Sequence, residues 1–247
     1  NVEKADIYNL LIIQYTVQGK LIETIEAGKK GLQYLEVELP EHNLEIALEI
    51  EVTKANKLLE GKEIASLKNQ TDMTITDKII ATKLLTEIKP ACYLIDQKVY
   101  SLVVMKTLNL CLEYGNLAES VHVYSTYGIL LGAIWGEYRK GYEFGKLALV
   151  ISEKYLNLNQ KCKACFVLIT FQVFWVKHIK LTNEISKEGF KVGIESGDLQ
   201  HCVYILAFQL FNILHEGITI DKLLCETNKS WQFIRKNQNK LAQDIIW

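Results

Sequence analysis

Residues 127–148 read YGILLGAIWGEYRKGYEFGKLA, and the spacing of the glycines in this stretch decides the fold. Gly136 is expected to form a turn. Gly128 and Gly132 lie before it, Gly141 and Gly145 lie after it, and the two glycines of each pair are four residues apart. A glycine inside a helix costs about 1 kcal/mol relative to alanine. Four of them at helical spacing therefore indicate two helix backbones in close contact. The charged residues nearby argue against a lipid-facing helix pair, which the same spacing can signal.

The same arrangement of small residues occurs in an earlier part of the chain and follows the tetratricopeptide pattern. Tyr8, Leu11, Ile12 and Tyr15 fall at the contact positions of a first helix, and Thr24 falls at a small-residue position of the second. Junction glycines recur about 20 residues apart, so an αα pair occupies about 40 residues, as in a helical solenoid. The predicted structural repeat positions are Gly19, Gly28, Gly31, Gly115, Gly128, Gly132, Gly136, Gly141, Gly145 and Ala148.

The whole chain predicts an all-α fold, an αα-hairpin repeat superhelix. Apolar residues recur at three and four positions, and the period-two alternation of strands is missing. The predicted helices are 3–17, 20–36, 43–60, 75–89, 97–114, 117–135, 138–155, 158–178, 180–196, 199–216 and 220–241. Pro40 and Pro90 are expected to end the second and fourth helices, and Asp77 and Asp96 to cap the fourth and fifth.

We expect residues 1–247 to form one helical-repeat domain, with a loop break around 61–74, where the sequence is polar and poorly periodic. Both ends are abrupt, and Trp247 leaves an aromatic side chain without obvious cover. Free tetratricopeptide arrays end in polar capping helices. The chain is therefore predicted to be a fragment of a larger multidomain protein.

Charge and hydropathy limit the partners. The 28 basic residues nearly balance the 29 acidic ones, which argues against a nucleic-acid surface. The longest apolar run, Ala164 to Val176, is too short to span a bilayer. The six cysteines lack the short framework spacing of a small secreted domain, so free, mostly buried thiols and a cytoplasmic location are expected.

Catalytic motifs are missing from the sequence. No Gly-Lys pair is followed by the Ser or Thr that a phosphate-binding loop needs, and the kinase signatures HRD and DFG are absent. Cys162 and Cys165 form a lone CxxC without a second ligand pair, so a structural role is expected. His122, His201 and His215 lack ligands at matching spacing. We predict no catalytic, cofactor-binding or metal-ligating residue.

Many aromatic residues of the second half fall at helical spacing, where core packing is the ordinary explanation. A minority could instead line the concave groove of the solenoid and hold a peptide or small molecule. The residues in question are Tyr124, Tyr127, Tyr138, Tyr142, Phe166, Phe171, Phe174 and Trp175.

From Pro90 onward the sequence resembles the helical region of very large bacterial multi-kinases. The residues that carry the resemblance are the runs LNLCLEYGN at 108–116, YSTYG at 124–128 and WGEYRKGYEFGKLAL at 135–149. Such proteins join a serine/threonine kinase, a STAND-type ATPase, a helical repeat region, a GAF sensor and a histidine kinase. One departure is His178-Ile179, where the family usually has His-Trp, and no role is assigned to that position.

The resemblance implies a non-catalytic interaction or sensor scaffold that couples an input to the ATPase switch, with ATP bound elsewhere in the parent protein. The partners would be a protein, neighbouring domains of the same chain or a small inducer, with neither nucleic acid nor membrane involved. Three alternatives remain open: a free-standing tetratricopeptide adaptor for short peptides, the helical sensor region of a STAND-type transcription activator, and an enzyme that acts through an unrecognised site.

Overall fold

The computed structural model describes residues 1–237 and 240–246, and its regular structure is helical. Within those residues the only β-type pairing is an isolated bridge between Asp72 and Asn116. The predicted all-α class is therefore confirmed, whereas the repeat superhelix remains a prediction. The helices are α1 Val2–Val17, α2 Leu21–Gln33, α3 Leu44–Leu59, α4 Thr76–Ile95, α5 Gln97–Tyr114, α6 Ser120–Ala133, α7 Tyr138–Lys154, α8 Leu158–Val167, α9 Leu181–Ser196, α10 Leu199–His215, α11 Ile220–Lys236 and α12 Lys240–Ile246.

The chain divides into two compact units, Asn1–Val123 and Tyr124–Trp247. In the first unit α4 is the central helix, because it packs on the α1–α2 hairpin and on α5. Helix α3 packs on α5. The core consists mainly of fully buried aliphatic side chains from α4 and α5: Leu84, Leu85, Ile88, Leu102, Met105 and Leu108.

Helix α4 corrects two predictions. Pro90 lies inside it, and the helix continues to Ile95 although proline cannot donate the backbone hydrogen bond of that turn. Burial of Ala91 and Cys92 in the following turn keeps the segment packed on the core and offsets that loss. Asp77 lies in the first turn but does not cap the helix, because the N-cap is Ile75.

The prediction for the next helix is confirmed. Asp96 caps α5, where its carboxylate accepts hydrogen bonds from the backbone N–H groups of Lys98 and Val99 at 2.8 and 3.2 Å. The Asp96 carboxylate thus satisfies two of the backbone N–H groups that have no acceptor within the helix at its N-terminus.

The predicted loop around 61–74 contains no α-helix but is ordered by hydrogen bonds. A 3₁₀ helix runs from Ile64 to Asn69. The buried Asn116 side chain donates to the Leu67 carbonyl at 2.8 Å, and its backbone carbonyl accepts from the Met73 N–H at 2.8 Å. Leu67 and Met73 are buried as a result, so this segment belongs to the core of the first unit.

The second unit follows the order of the chain. Helix α7 packs on α8, α8 on α9, α9 on α10 and α10 on α11, with an additional contact of α8 with α10. Contacts between nearest and next-nearest helices are typical of helical arrays. The predicted final helix 220–241 is replaced by α11 and α12; residues 238 and 239, and the predicted exposed aromatic Trp247, lie outside the described residues.

Among the described residues no helix is both long and apolar enough to cross a bilayer.

Candidate binding groove

Helices α6 and α7 approach each other at two glycines. A Cβ at Gly128 would lie 2.5 Å from the Gly141 carbonyl oxygen, and a Cβ at Gly141 would lie 2.5 Å from the Gly128 oxygen. Real Cβ atoms essentially never come so close to another heavy atom. Both positions therefore require glycine for packing reasons. Gly132 is in a related position, since its Cβ would lie 3.1 Å from the Tyr138 ring.

A buried glutamine lies over the same helix pair. Gln172 donates from Nε2 to the Ser125 carbonyl at 2.9 Å, and its Oε1 lies directly over Gly145, where any side chain would overlap it. Only 3% of Gln172 is exposed. The absence of a side chain at Gly145 thus makes room for a polar contact that ties the end of the α8 segment to α6.

The segment after α8 is not the α-helix predicted for 158–178. The α-helix ends at Val167, a π-helical turn follows over Leu168–Gln172, and a 3₁₀ turn over Val173–Trp175. Turns of the π type occur frequently at functional sites. Here the π turn places Gln172 over Gly145, and the 3₁₀ turn brings Trp175 to the first turn of α7.

Two exposed rings meet at that point. Tyr138 and Trp175 stack with their ring centroids 4.6 Å apart and their planes 22° from parallel. Phe174 extends the cluster, with its ring centroid 5.3 Å from that of Trp175. The exposed fractions are 36% for Tyr138, 55% for Trp175 and 38% for Phe174. Rings this large and this exposed are available to a ligand.

The stacked pair borders a groove of about 550 Å³, lined by Gly136, Glu137, Tyr138, Arg139, Lys140, Trp175 and Val176. Lys140 forms an ion pair with Glu137 at 2.5 Å. Within the part of the chain that the structure describes, Arg139 forms no ion pair. Lys177 follows Val176 and is also exposed. The groove therefore combines an aromatic wall with an excess of positive charge.

The other aromatic residues named above pack in the interior or are partly covered. Tyr124, Tyr127 and Tyr142 are buried, and the Tyr127 ring meets the Phe144 ring edge-on at 4.8 Å. Burial raises the pKa of Tyr127 to about 12, with a further contribution from Glu137, so its hydroxyl stays protonated at neutral pH. Phe166 packs against Phe171, Tyr204 and Phe208.

The small residues of the first hairpin contact α4. A side chain at Gly28 would overlap Ile88, and one at Gly31 would lie 2.9 Å from the Tyr8 Cβ and 3.0 Å from a Leu84 methyl group. Thr24 is also buried. These positions therefore hold α1, α2 and α4 together.

The remaining repeat positions fall into two groups. Gly19 and Gly136 have open space around them and positive φ angles of 70° and 68°, as turns require. Gly115, with φ 105°, packs against the Thr71 carbonyl, and Ala148 on α7 is fully buried.

Two close contacts of the second unit were missed at the sequence level. On α9, Gly189 packs against Cys165. Gly193, one turn later, packs against Cys162 and Cys202. Their four-residue spacing equals that of Gly141 and Gly145, so the same pattern could have identified them. Gln172 carried no comparable signal, because nothing in its neighbourhood predicts a π turn.

The candidate metal ligands do not come together. No group of three His, Cys, Asp or Glu side chains in residues 1–237 and 240–246 is placed to hold a metal ion. His201 Nδ1 pairs with the Asp198 carboxylate at 2.9 Å, and His215 Nδ1 lies 2.7 Å from the Phe211 carbonyl.

No family model, curated protein or solved structure matches this chain. The resemblance to multi-kinases therefore rests on the sequence runs quoted above.

Proposed function

We propose that this chain is a non-catalytic protein-interaction module whose groove beside α7 binds a short segment of a protein partner. The observation that supports this proposal is the exposed Tyr138–Trp175 stack beside Arg139. Trp, Tyr and Arg are the residues most enriched among those that dominate binding energy at protein interfaces. Exposed apolar patches bordered by polar residues are also typical of interaction sites.

The chemistry of the groove favours an acidic segment with an apolar anchor. The aromatic wall offers a flat apolar surface, against which a proline, leucine or aromatic side chain would exclude water. Arg139 and Lys177 would attract acidic residues that flank this anchor, because neither forms an ion pair among the described residues. Charge complementarity of this kind contributes mainly to specificity and association rate.

The supporting backbone is rigid enough for such a role. Tyr138 begins α7, whose backbone is in contact with α6 at Gly141, and the segment that carries Trp175 is anchored through Gln172 to Ser125. A wall whose two rings are already stacked loses little conformational entropy on binding.

We further propose, on the sequence resemblance, that this module belongs to a larger signalling protein, where the segment would come from a neighbouring domain or from an incoming partner. A bound segment can shift a switch only if the groove has a different affinity for it in the two states of the parent protein. This part of the proposal depends on the resemblance, whereas the binding chemistry depends on the groove.

Selection from a library of short random peptides on the purified chain tests the proposal. We expect enrichment of acidic peptides with an apolar anchor. Trp175→Ala should weaken the binding of a selected peptide by about tenfold or more. Arg139→Gln should weaken it by about fivefold and reduce its salt dependence.

Two matched variants are the controls, Trp135→Ala and Arg235→Gln. Both residues are exposed and neither lines the groove, so affinity should stay within about twofold of the original chain. Peptides whose binding survives Trp175→Ala, or a selection without acidic enrichment, would contradict the proposed site.

A further inference from the structure

Three cysteines of the second unit gather around the glycines of α9. Cys162 on α8 and Cys202 on α10 both lie against Gly193: a Cβ there would be 2.7 Å from the Cys162 Sγ and would overlap the Cys202 Sγ. Both sulfur atoms therefore border the space that a side chain at 193 would fill. Both cysteines are fully buried and free.

Cys165 does not belong to this pair, although it completes the CxxC of the sequence. Its Sγ lies 3.4 Å from the Cβ position of Gly189, one helical turn away from Gly193. One turn corresponds to about 5.4 Å along the helix. The fold thus pairs Cys162 with a cysteine 40 positions later in the chain and leaves its CxxC partner aside.

The two paired thiols have unequal acidity. A hydrogen bond from the Cys162 thiol to the Cys202 sulfur raises the pKa of Cys162 and lowers the pKa of Cys202. Cys202 also lies in the first turn of α10, where helix N–H groups stabilise a thiolate. The Asp198 carboxylate raises the pKa of both cysteines, so for Cys202 it opposes the effect of the hydrogen bond. Cys202 is consequently the better nucleophile and Cys162 the thiol positioned to attack it in turn.

We propose that Cys162 and Cys202 form a reversible disulfide that links α8 to α10 across α9 when the chain meets a peroxide. The Cys202 thiolate attacks one oxygen of hydrogen peroxide and breaks the O–O bond, which gives a sulfenic acid and a hydroxide that the released thiol proton converts to water. Cys162 then attacks the Cys202 sulfur. The S–S bond forms, the S–O bond breaks, and hydroxide leaves with the Cys162 proton as a second water. Two electrons pass from the sulfur pair to the peroxide.

The burial of Cys162 and Cys202 limits which reagents reach the two thiols and how fast they react. Neither thiol is exposed, so access requires local opening, for which the Gly197 turn before α10 is the nearest irregular segment. Cys225 is exposed on α11, so its thiol is accessible to peroxide and to other copies of the chain. The experiment is therefore best carried out in a Cys225→Ser background, which removes intermolecular disulfides.

Peptide mass spectrometry after graded hydrogen peroxide treatment and alkylation tests the proposal. We expect a cross-linked pair of peptides that contain Cys162 and Cys202, a mass loss of about 2 Da per chain, and reversal by dithiothreitol. Cys162→Ser should leave a Cys202 sulfenic acid that dimedone traps. Cys165→Ser should leave the cross-link unchanged.

Cys111 serves as the matched buried thiol, because its Sγ faces the Ser120 hydroxyl at 3.2 Å rather than a second sulfur. At peroxide doses that convert Cys162 and Cys202 to the disulfide, Cys111 should remain a free thiol that can be alkylated once the chain is unfolded. A Cys162–Cys165 cross-link, or loss of Cys111 at the same dose as Cys202, would overturn the proposal. The cross-link can also be mapped in the original chain, so a variant that fails to fold does not affect the conclusion.

Discussion

Gly141 is a residue of the second unit at which a single added methyl group would meet the backbone of another helix. Its Cβ position lies 2.5 Å from a backbone oxygen, which cannot move aside as a side chain would. Gly141→Ala should lower the free energy of unfolding by about 1–2 kcal/mol, because the cost of overpacking exceeds the gain in helix propensity. Urea denaturation followed by circular dichroism measures the change.

Lys146→Ala on the exposed face of the same helix is the control for that substitution. Its side chain is 48% exposed, pairs with Glu143 and lies 5.4 Å from the centroid of the Tyr142 ring. Because the Lys146 side chain is half exposed in both contacts, the free energy of unfolding should change by less than about 1 kcal/mol. An alanine at 141 that stabilises the chain would contradict the close backbone contact.

Glycines at close helix–helix contacts can be predicted from the sequence. Because glycine is unfavourable inside helices, its regular recurrence there indicates a packing requirement. Gly128, Gly141 and Gly145 were recognised by spacing alone, and the structure places all three in buried contacts. Spacing does not reveal which helix a glycine faces. The contact of Gly28 with Ile88, 60 positions later, therefore required the structure.

At the scale of the element, the N-terminus of α10 combines a cap with an ion pair. Asp198 accepts from the His201 N–H at 3.2 Å and pairs with its ring nitrogen. Burial raises the pKa of Asp198, but the contacts with His201 outweigh burial and bring it below the ordinary value of 3.8. The carboxylate thus stabilises the folded state above that pH, and the stabilisation is lost as pH falls through the folded pKa.

Asp198→Ala should cost about 1–2 kcal/mol at pH 7, as loss of a helix cap does. Asp198→Asn retains a capping oxygen and should cost less. For both variants the difference from the original chain should shrink as the pH falls below 3.8, because the original loses its charge there. Unfolding free energies measured between pH 3 and 7 test this; a difference that grows toward low pH would contradict the assigned sign.

Apolar periodicity and turn glycines predict the positions of most helices. They do not predict the continuation of α4 past Pro90 or the π turn after α8. The local rule for proline predicts a helix end at Pro90, but core packing on both sides overrides it and α4 continues. The π turn over Leu168–Gln172 is invisible to a period of 3.6 residues. Both exceptions depend on contacts with helices that are distant in sequence, which no local window contains.

For the molecule as a whole, the division into two compact units leads to a prediction about fragments. Residues 120–247 retain α6 complete and contain the glycine contacts of α7 and α9. This fragment should fold alone, with a helical circular dichroism spectrum and a single cooperative thermal transition.

Residues 124–247 are the comparison, since this shorter fragment begins inside α6 and lacks its first turn. It should melt at a lower temperature than the longer one. A fragment 120–247 without cooperative unfolding would show that the second unit is not independent. The same fragment should bind the selected peptides, because every residue that lines the groove lies within it.

The groove could be anticipated only in part at this scale. The sequence offers eight aromatic residues, Tyr138 and Trp175 among them, and predicts that a minority could line a groove while most pack in the core. Their stacking joins residues 37 positions apart in the chain. It depends on how α8 ends, and composition alone does not determine that geometry.

The π turn carries one more residue than an α-helix needs for the same hydrogen-bonded length. Everything after it is therefore rotated by roughly 100° about the helix axis relative to a regular continuation. Deletion of Thr170 would let the segment revert to an ordinary α-helix and point Trp175 away from Tyr138. We expect such a shortened chain to remain helical by circular dichroism yet to lose affinity for the selected peptides. The groove therefore depends on the number of residues in the segment after α8, and insertion or deletion of a single codon there would create or abolish it.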